Sequence, residues 1–226
     1  MIRLKILVEG PSEEVFVKQV LAPHLKQHKV NVTPVIIVTK KRVDGYEHRG
    51  GGLSWKKVLE HLRYLANDSD AISTLFDFYG LPKKFPGYRE ACAEQNPRNG
   101  VEVLEERLAQ EFKHPNFIPF FALHEFETWL FSDPDTVATY FGEPVLANEL
   151  RKAVQGAVEP EFINHGIKTH PKKRLDDMLD KLSLAYKETS DGPILMSNIG
   201  ISTVRSACPH FSGWLDRLEQ LGKMAI

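Results

Sequence analysis

Residues 2–8, IRLKILV, and residues 9–14, EGPSEE, decide the fold of this chain. The first stretch is apolar with two interleaved basic residues, which is typical of a β-strand. Gly10 and Pro11 end that strand, and Ser12 is a favourable N-cap for a helix whose first turn holds two glutamates. The sequence therefore predicts a strand that passes directly into a helix.

Three further apolar stretches extend this pattern, and amphipathic segments separate them. Strands are predicted over Val32–Thr39, Ile72–Phe78 and Phe117–Leu123. Helices are predicted from Ser54 and over Gly100–Phe112. The order β-α-β-α-β-α-β predicts an α/β fold, with a parallel sheet of about four strands, right-handed crossovers and flanking helices.

After Ser132 the pattern becomes helical, so we expect an α/β core over residues 1–132 and a helical region over residues 133–226 packed on that core. Residues 159–170 form a predicted loop. The helices predicted in the second region are Asp135–Phe141, Val145–Val154, Pro171–Tyr186, Ile201–Ala207 and Pro209–Leu221.

Composition narrows the class of protein. The 226 residues carry a net charge of -1, so any surface that binds nucleic acid must be local. Two cysteines are too few for a disulfide scaffold or a four-cysteine zinc site. No apolar run reaches the ~20 residues that span a bilayer, and no signal-peptide pattern precedes the first strand. We therefore expect a cytoplasmic protein.

Acidic side chains follow three of the predicted strands. Glu9 follows the first strand, Asp77 ends the third, and Glu125 and Glu127 follow the fourth. Carboxyl ends of parallel strands meet at one edge of a sheet, so we expect these groups to converge. Oxygen ligands of this kind suit Mg²⁺ or Mn²⁺, and the sequence therefore predicts a divalent metal site.

Each of these acids also has a purely structural interpretation. Glu9 could be a solvated turn residue, Glu13 a partner of the helix dipole, and Asp77 a buried hydrogen-bonding group. Glu125 and Glu127 face the same way only in extended or turn backbone, and otherwise only one of them is a ligand.

Two basic clusters are candidate contacts for a phosphate backbone. A solvated charged surface is the ordinary alternative. The residues of the first cluster are Lys40, Lys41, Arg42, Arg49, Lys56 and Lys57, and those of the second are Lys168, His170, Lys172, Lys173 and Arg174.

Short segments spread over nearly the whole chain resemble the motifs of a known group of protein domains. They are residues 8–13 (VEGPSE), 75–82 (LFDFYGLP), 123–127 (LHEFE), 130–133 (LFSD), 171–175 (PKKRL) and 208–211 (CPHF). The chain resembles Toprim domains, which are metal-dependent catalytic domains of topoisomerases, primases and nucleases of the overcoming-lysogenization-defect type. It is most similar to the bacterial domain-of-unknown-function 4276 family, which is regarded as Toprim-related.

This resemblance implies a magnesium-dependent phosphoryl-transfer site. Glu9 matches the Toprim glutamate and Asp77 matches the first aspartate of the Asp-x-Asp motif, whereas Tyr79 occupies the position of the second aspartate. Glu125 or Glu127 would then replace the missing ligand. The resemblance further implies an ATPase partner of the chromosome-segregation type and a setting in defence against phage.

The leading hypothesis is a nuclease that cleaves phosphodiester bonds in DNA or RNA. Glu9, Asp77 and one of Glu125 and Glu127 would hold the metal, and Glu13 would be a second ligand or general base. Lys173 or Arg174 would stabilise the transition state and, with the other basic residues, hold the nucleic-acid backbone. The alternative is a catalytically degenerate module, marked by Tyr79, that binds an ATPase or nucleic acid. A third hypothesis is a nucleotidyl or primase-type transferase.

Overall fold

The computed structural model describes residues 1–41, 47–49, 53–164 and 166–223 of the chain. Its strands are β1 (Ile2–Val8), β2 (Val30–Ile36), β3 (Val38–Lys41), β4 (Glu47–Arg49), β5 (Ala71–Asp77), β6 (Phe117–Ile118) and β7 (Phe121–Ala122). The main sheet is parallel and has the order β2-β1-β5-β6, and β7 also pairs with β5. The predicted α/β fold with a parallel sheet is confirmed.

The fourth predicted strand is split into β6 and β7 by Pro119 and Phe120. Pro119 has no backbone N–H to donate to a neighbouring strand. At Phe120 the Thr74 hydroxyl takes over the pairing: it accepts from the backbone N–H at 2.8 Å and donates to the carbonyl at 2.9 Å. Both short strands remain parallel to β5.

The second predicted strand ends earlier than expected. The backbone N–H of Ile37 donates to the carbonyl of Val8 at 2.9 Å, and the chain then leaves the sheet. Residues 38–41 pair instead with β4 in a separate antiparallel sheet.

Helices account for most of the remaining described residues. They are α1 (Pro11–Phe16), α2 (Ala22–Gln27), α3 (Trp55–Ala66), α4 (Tyr88–Ala93), α5 (Pro97–Glu111), α6 (Pro134–Phe141), α7 (Pro144–Ala157), α8 (Pro171–Asp180), α9 (Glu188–Ile199), α10 (Ile201–Ala207) and α11 (Pro209–Leu221). A π-helical turn, Val17–Leu21, joins α1 to α2. The prediction of one helix over Pro171–Tyr186 was wrong, since α8 ends at Asp180 and α9 starts eight residues later.

Two apolar clusters cover the two faces of the sheet. Leu4 and Ile6 belong to one cluster and Leu7 belongs to the other, because successive side chains of a strand point to opposite faces. The first cluster also contains Leu195 and Phe211, so the C-terminal helices share a core with the sheet. None of the described helices is long and apolar enough to cross a lipid bilayer.

Candidate functional site

Glu9 and Asp77 lie side by side at the carboxyl ends of β1 and β5. The two strands pair in parallel, with Val8 opposite Leu75, so the residues after them emerge at the same edge. The Oε1 atom of Glu9 accepts a 2.8 Å hydrogen bond from the backbone N–H of Asp77. The first and third strands thus bring together the two acids that the sequence predicted there.

Asp77 in turn holds the segment that follows β7. Its Oδ1 atom accepts a 3.1 Å hydrogen bond from the backbone N–H of Phe126, where a 3₁₀ helix over Phe126–Ser132 begins. Glu125 precedes that helix in extended backbone and Glu127 lies in its first turn. Both side chains are buried.

Glu13 joins the same group from α1. Its Oε2 atom accepts a 2.9 Å hydrogen bond from the backbone N–H of Gly10, so it caps the helix as its structural interpretation proposed. It is nevertheless buried, and its charge raises the pKa of Asp77. We call Glu9, Glu13, Asp77, Glu125 and Glu127 the carboxylate edge.

The carboxylate edge brings five acidic side chains together, and the pKa values of its members reflect that crowding. Burial raises the pKa of Asp77 well above its ordinary range, and the charges of the other four members raise it further. Burial likewise raises the pKa of Glu9 to about 8, which the N–H of Asp77 only partly offsets. Among the described residues, no lysine, arginine or histidine forms a salt bridge with Glu9, Glu13, Asp77 or Glu127.

Glu127 is held by a residue from the C-terminal half. Its Oε1 atom accepts a 3.0 Å hydrogen bond from the Tyr186 hydroxyl. Burial raises the pKa of Glu127 to about 8, the charges of Glu125 and Glu188 add to the rise, and the bond from Tyr186 opposes it.

Glu125 is held by the start of α8. Its carboxylate contacts His170 Nδ1 at 2.9 and 3.1 Å and accepts from the backbone N–H of Lys172. The His170 ring also stacks on Tyr79, with ring centroids 4.3 Å apart. Tyr79 therefore packs against the residue that holds Glu125.

Three residues of the second basic cluster, Lys172, Lys173 and Arg174, lie in α8. Lys172 Nζ pairs with Asp176 at 3.0 Å; burial lowers its pKa, but Asp176, Glu188 and Glu127 together raise it above the ordinary value. Lys173 pairs with Asp177, and Arg174 Nε donates to the Thr169 carbonyl at 2.5 Å. Lys172, rather than Lys173, thus lies within electrostatic reach of the carboxylate edge.

The first basic cluster is only partly described. Lys40 and Lys41 belong to β3, Arg49 belongs to β4, and Arg42 lies outside the described residues. Their roles, like that of Lys173, stay predictions.

Sequence reasoning missed three residues of the site. His170 was counted only as part of a basic run, and Tyr186 and Glu188 were not singled out. Tyr186 was placed inside a predicted helix, and α9, which begins with Glu188, was not predicted. No local pattern links these residues to the acids after the fourth strand: His170 follows Glu125 by 45 residues, and Tyr186 follows Glu127 by 59.

The donor set of the carboxylate edge fits a hard divalent cation. Oxygen ligands with uncompensated negative charge are what Mg²⁺ and Mn²⁺ select. The carboxylate oxygens of the edge are, however, not as close to one another as the ligands of a bound ion are. Within the part of the chain that the structure describes, only His24, His28 and Glu219 bring three ligand atoms within 4.8 Å of one another.

Comparison with known proteins identifies a family and two similar solved structures. The model of the family described as Domain of unknown function (DUF4276) matches residues 8–219. Two solved structures of the C-terminal region of the Xanthomonas campestris pv. campestris OLD protein match with 13% identity and TM-scores of 0.42 and 0.44. The match covers 98% of this chain and 96% and 94% of those chains. No curated protein matches.

Proposed function

The chain belongs to the DUF4276 family, and we propose that it is a metal-dependent enzyme that cleaves phosphodiester bonds in DNA or RNA. One observation carries the proposal: carboxylates from three separate segments, the half-buried Glu9 and Asp77 and the buried Glu13, Glu125 and Glu127, meet at the carboxyl edge of the sheet, joined through Asp77. Burial of ionised carboxylates without a cation is energetically unfavourable, and such unfavourable clusters occur mostly at functional sites.

Glu9, Asp77 and Glu127 are the residues that would hold the ion. Both oxygens of Glu125 are already engaged by His170, and one of them also by Lys172, whereas Glu127 accepts one bond, through Oε1. Glu127 therefore replaces the missing second aspartate better than Glu125 does. A bound Mg²⁺ or Mn²⁺ would supply Lewis-acid charge and an activated water.

The remaining residues of the site would orient the two glutamates and bind the phosphate backbone. Tyr186 orients Glu127, and His170 with the start of α8 orients Glu125. Lys172 would neutralise a phosphate oxygen near the edge: its pKa is raised mainly by Asp176, and the charges of Glu188 and of Glu127 at the edge add to the rise. Lys173, Arg174 and the β3–β4 hairpin would bind the nucleic-acid backbone further out.

The proposed biological setting is defence against phage, together with an ATPase partner of the chromosome-segregation type. This part rests on the resemblance of the sequence segments to Toprim-related proteins.

A catalytically degenerate binding module is the second candidate, and one contact favours it. The Tyr79 ring, which stands where Toprim domains have an aspartate, is stacked on His170 at 4.3 Å and is thus built into the packing. Under this alternative the carboxylate edge carries out no chemistry.

Cleavage assays on matched variants distinguish the two candidates. Single- and double-stranded DNA and RNA are incubated with the wild type in Mg²⁺, in Mn²⁺ and in a chelator, alone and with a candidate ATPase partner of the chromosome-segregation type. We expect metal-dependent cleavage that Asp77→Asn abolishes while Asp70→Asn retains it. Asp70 precedes β5 at its other end and pairs with Arg3. Absence of cleavage under every condition would favour the binding module.

A further inference from the structure

A second group of metal-ligating side chains lies far from the carboxylate edge. His24 is in α2, His28 is the residue that ends that helix, and Glu219 is in α11. His24 Nε2 lies 2.8 Å and His28 Nε2 lies 3.7 Å from Glu219 Oε1. His28 comes just before the start of β2, so the group lies at the amino end of the parallel sheet.

The donor types suit a borderline transition metal rather than Mg²⁺. Two imidazole nitrogens and one carboxylate oxygen are a common zinc ligand set, which leaves a fourth position for water. His24 and His28 are four residues apart and therefore lie on one face of the helix. Their rings are 5.2 Å apart and tilted by 36°, so both nitrogens face the same carboxylate.

The spacing requires little adjustment for an ion to enter. One ligand atom from each residue lies within 4.8 Å of the others. Two donors on a tetrahedral zinc are about 3.3 Å apart, given bonds of about 2.0 Å. The side chains of His24 and His28 are 25% and 35% exposed, so an ion can reach them and the rings can rotate.

Arg205 prepares Glu219 as a ligand. Its guanidinium donates to Oε1 at 2.9 Å and to Oε2 at 3.2 Å, which fixes the plane of the carboxylate. Burial raises the pKa of Glu219, but the bonds from His24 and Arg205 outweigh it and hold the pKa below its ordinary value. A carboxylate oxygen has two lone pairs, so Oε1 can bind an ion and still accept from Arg205.

We propose that His24, His28 and Glu219 bind one Zn²⁺ ion that clamps α2 to the C-terminal helix α11. His24 and Glu219 are 195 residues apart in the chain, so the ligand set exists only in the folded protein. Binding of the ion therefore stabilises the fold. The inference is independent of the proposed function, since it concerns other residues and another class of metal.

Calorimetric titration with Zn²⁺ in excess Mg²⁺ tests the site, because Mg²⁺ competes for the carboxylate edge but not for imidazoles. We expect one ion per chain and a higher Tm with Zn²⁺. His24→Gln and His28→Asn should each weaken binding by at least about tenfold, since even indirect supports of a ligand are worth that much. His114→Ala, which removes a histidine outside the group, should leave the affinity unchanged.

The position of the ion is read directly from the wild type, so the test does not depend on whether the variants fold. Anomalous diffraction at the zinc absorption edge should give a peak among His24, His28 and Glu219. A peak only at the carboxylate edge, no peak at all, or equal affinity in wild type and both variants would overturn the proposal. The three residues and Arg205 would then be a hydrogen-bonded network between two helices.

Discussion

Glu9 accepts a 2.8 Å hydrogen bond from the backbone N–H of Asp77, and this bond joins the carboxyl ends of two neighbouring parallel strands. Asp77 uses its own carboxylate to hold the backbone N–H of Phe126. The hydrogen bonds from Glu9 through Asp77 to Phe126 bring the acids of three segments into one group at the edge of the sheet. The predictions below follow from that arrangement.

Glu127 and Glu125 should respond differently to the same substitution. We expect Glu127→Gln to lower Mg²⁺ affinity and cleavage by at least about tenfold with little change in Tm, because it removes a ligand charge. Glu125→Gln should instead lower the free energy of unfolding by about 1–3 kcal/mol, because His170 and the Lys172 N–H lose a charged partner. Mg²⁺ titration and thermal melts check both. If Glu125→Gln lowered the Mg²⁺ affinity more than Glu127→Gln does, Glu125 would be the metal ligand and Glu127 the structural residue.

The metal-free protein should lose stability as the pH rises. The folded pKa values of Glu9 and Glu127 are raised from 4.5 to about 8. A raised carboxyl pKa contributes stability that is fully present below pH 4.5 and is lost as the pH rises through about 8. Tm measured in a chelator should therefore fall over this window, and Mg²⁺ should restore it at the upper end.

Other acids titrate in the same window, so the Glu127→Gln variant provides the reference. It has no carboxyl group at this position, and its Tm should depend less on pH than that of the wild type. An identical pH dependence in the two proteins would mean that Glu127 is not held at a raised pKa.

Gly192 allows α9 to pack closely against the site. A Cβ atom there would lie 2.7 Å from the Tyr186 hydroxyl and 3.1 Å from the Phe126 ring. Gly192→Ala should therefore displace Tyr186 from Glu127, reduce cleavage and destabilise the fold by about 1–3 kcal/mol. Gly213→Ala is the matched control, because a Cβ at that helical glycine meets nothing within 4 Å and alanine favours the helix. Equal melting of both variants would contradict the close packing.

Nucleic-acid binding should depend on the two basic clusters and on salt. Neutralising either cluster as a triple variant should weaken binding and reduce its salt dependence, because fewer counterions are released. The triples are Lys40, Lys41 and Arg42, and Lys172, Lys173 and Arg174, each changed to glutamine. Affinity measured against salt concentration checks this, with thermal melts as the control for folding. Unchanged nucleic-acid affinity in both triple variants would show that neither basic cluster binds the nucleic acid.

The sequence was sufficient for the sheet and its acidic edge because both follow from local rules. Apolar runs separated by helices predict parallel strands, and parallel strands place Glu9 and Asp77 at one edge whatever the helices do. Pro119 is a local signal for the split of the fourth strand, whereas no local pattern shows the tertiary bonds by which the Thr74 hydroxyl holds Phe120 there.

The C-terminal contribution could not be predicted for a related reason. The local sequence at Gly192 and Pro193 is typical of a helix break, yet both residues lie inside α9. Gly192 allows α9 to pack closely against Tyr186 and Phe126. Without α9 there was no reason to bring Tyr186 or Glu188 to the strand ends. The partner of Glu127 therefore became visible only in the structure.

A crystal soaked in Mn²⁺ and measured for anomalous scattering tests the central claim most directly. We predict a Mn²⁺ ion bound by Glu9, Asp77 and Glu127, with their oxygens drawn in to about 2.2 Å from the ion, a typical distance for oxygen ligands of such cations. The same soak of Asp77→Asn should show no ion there. A wild-type crystal without manganese at the carboxylate edge, or with an ion that Asp77 does not touch, would contradict the account.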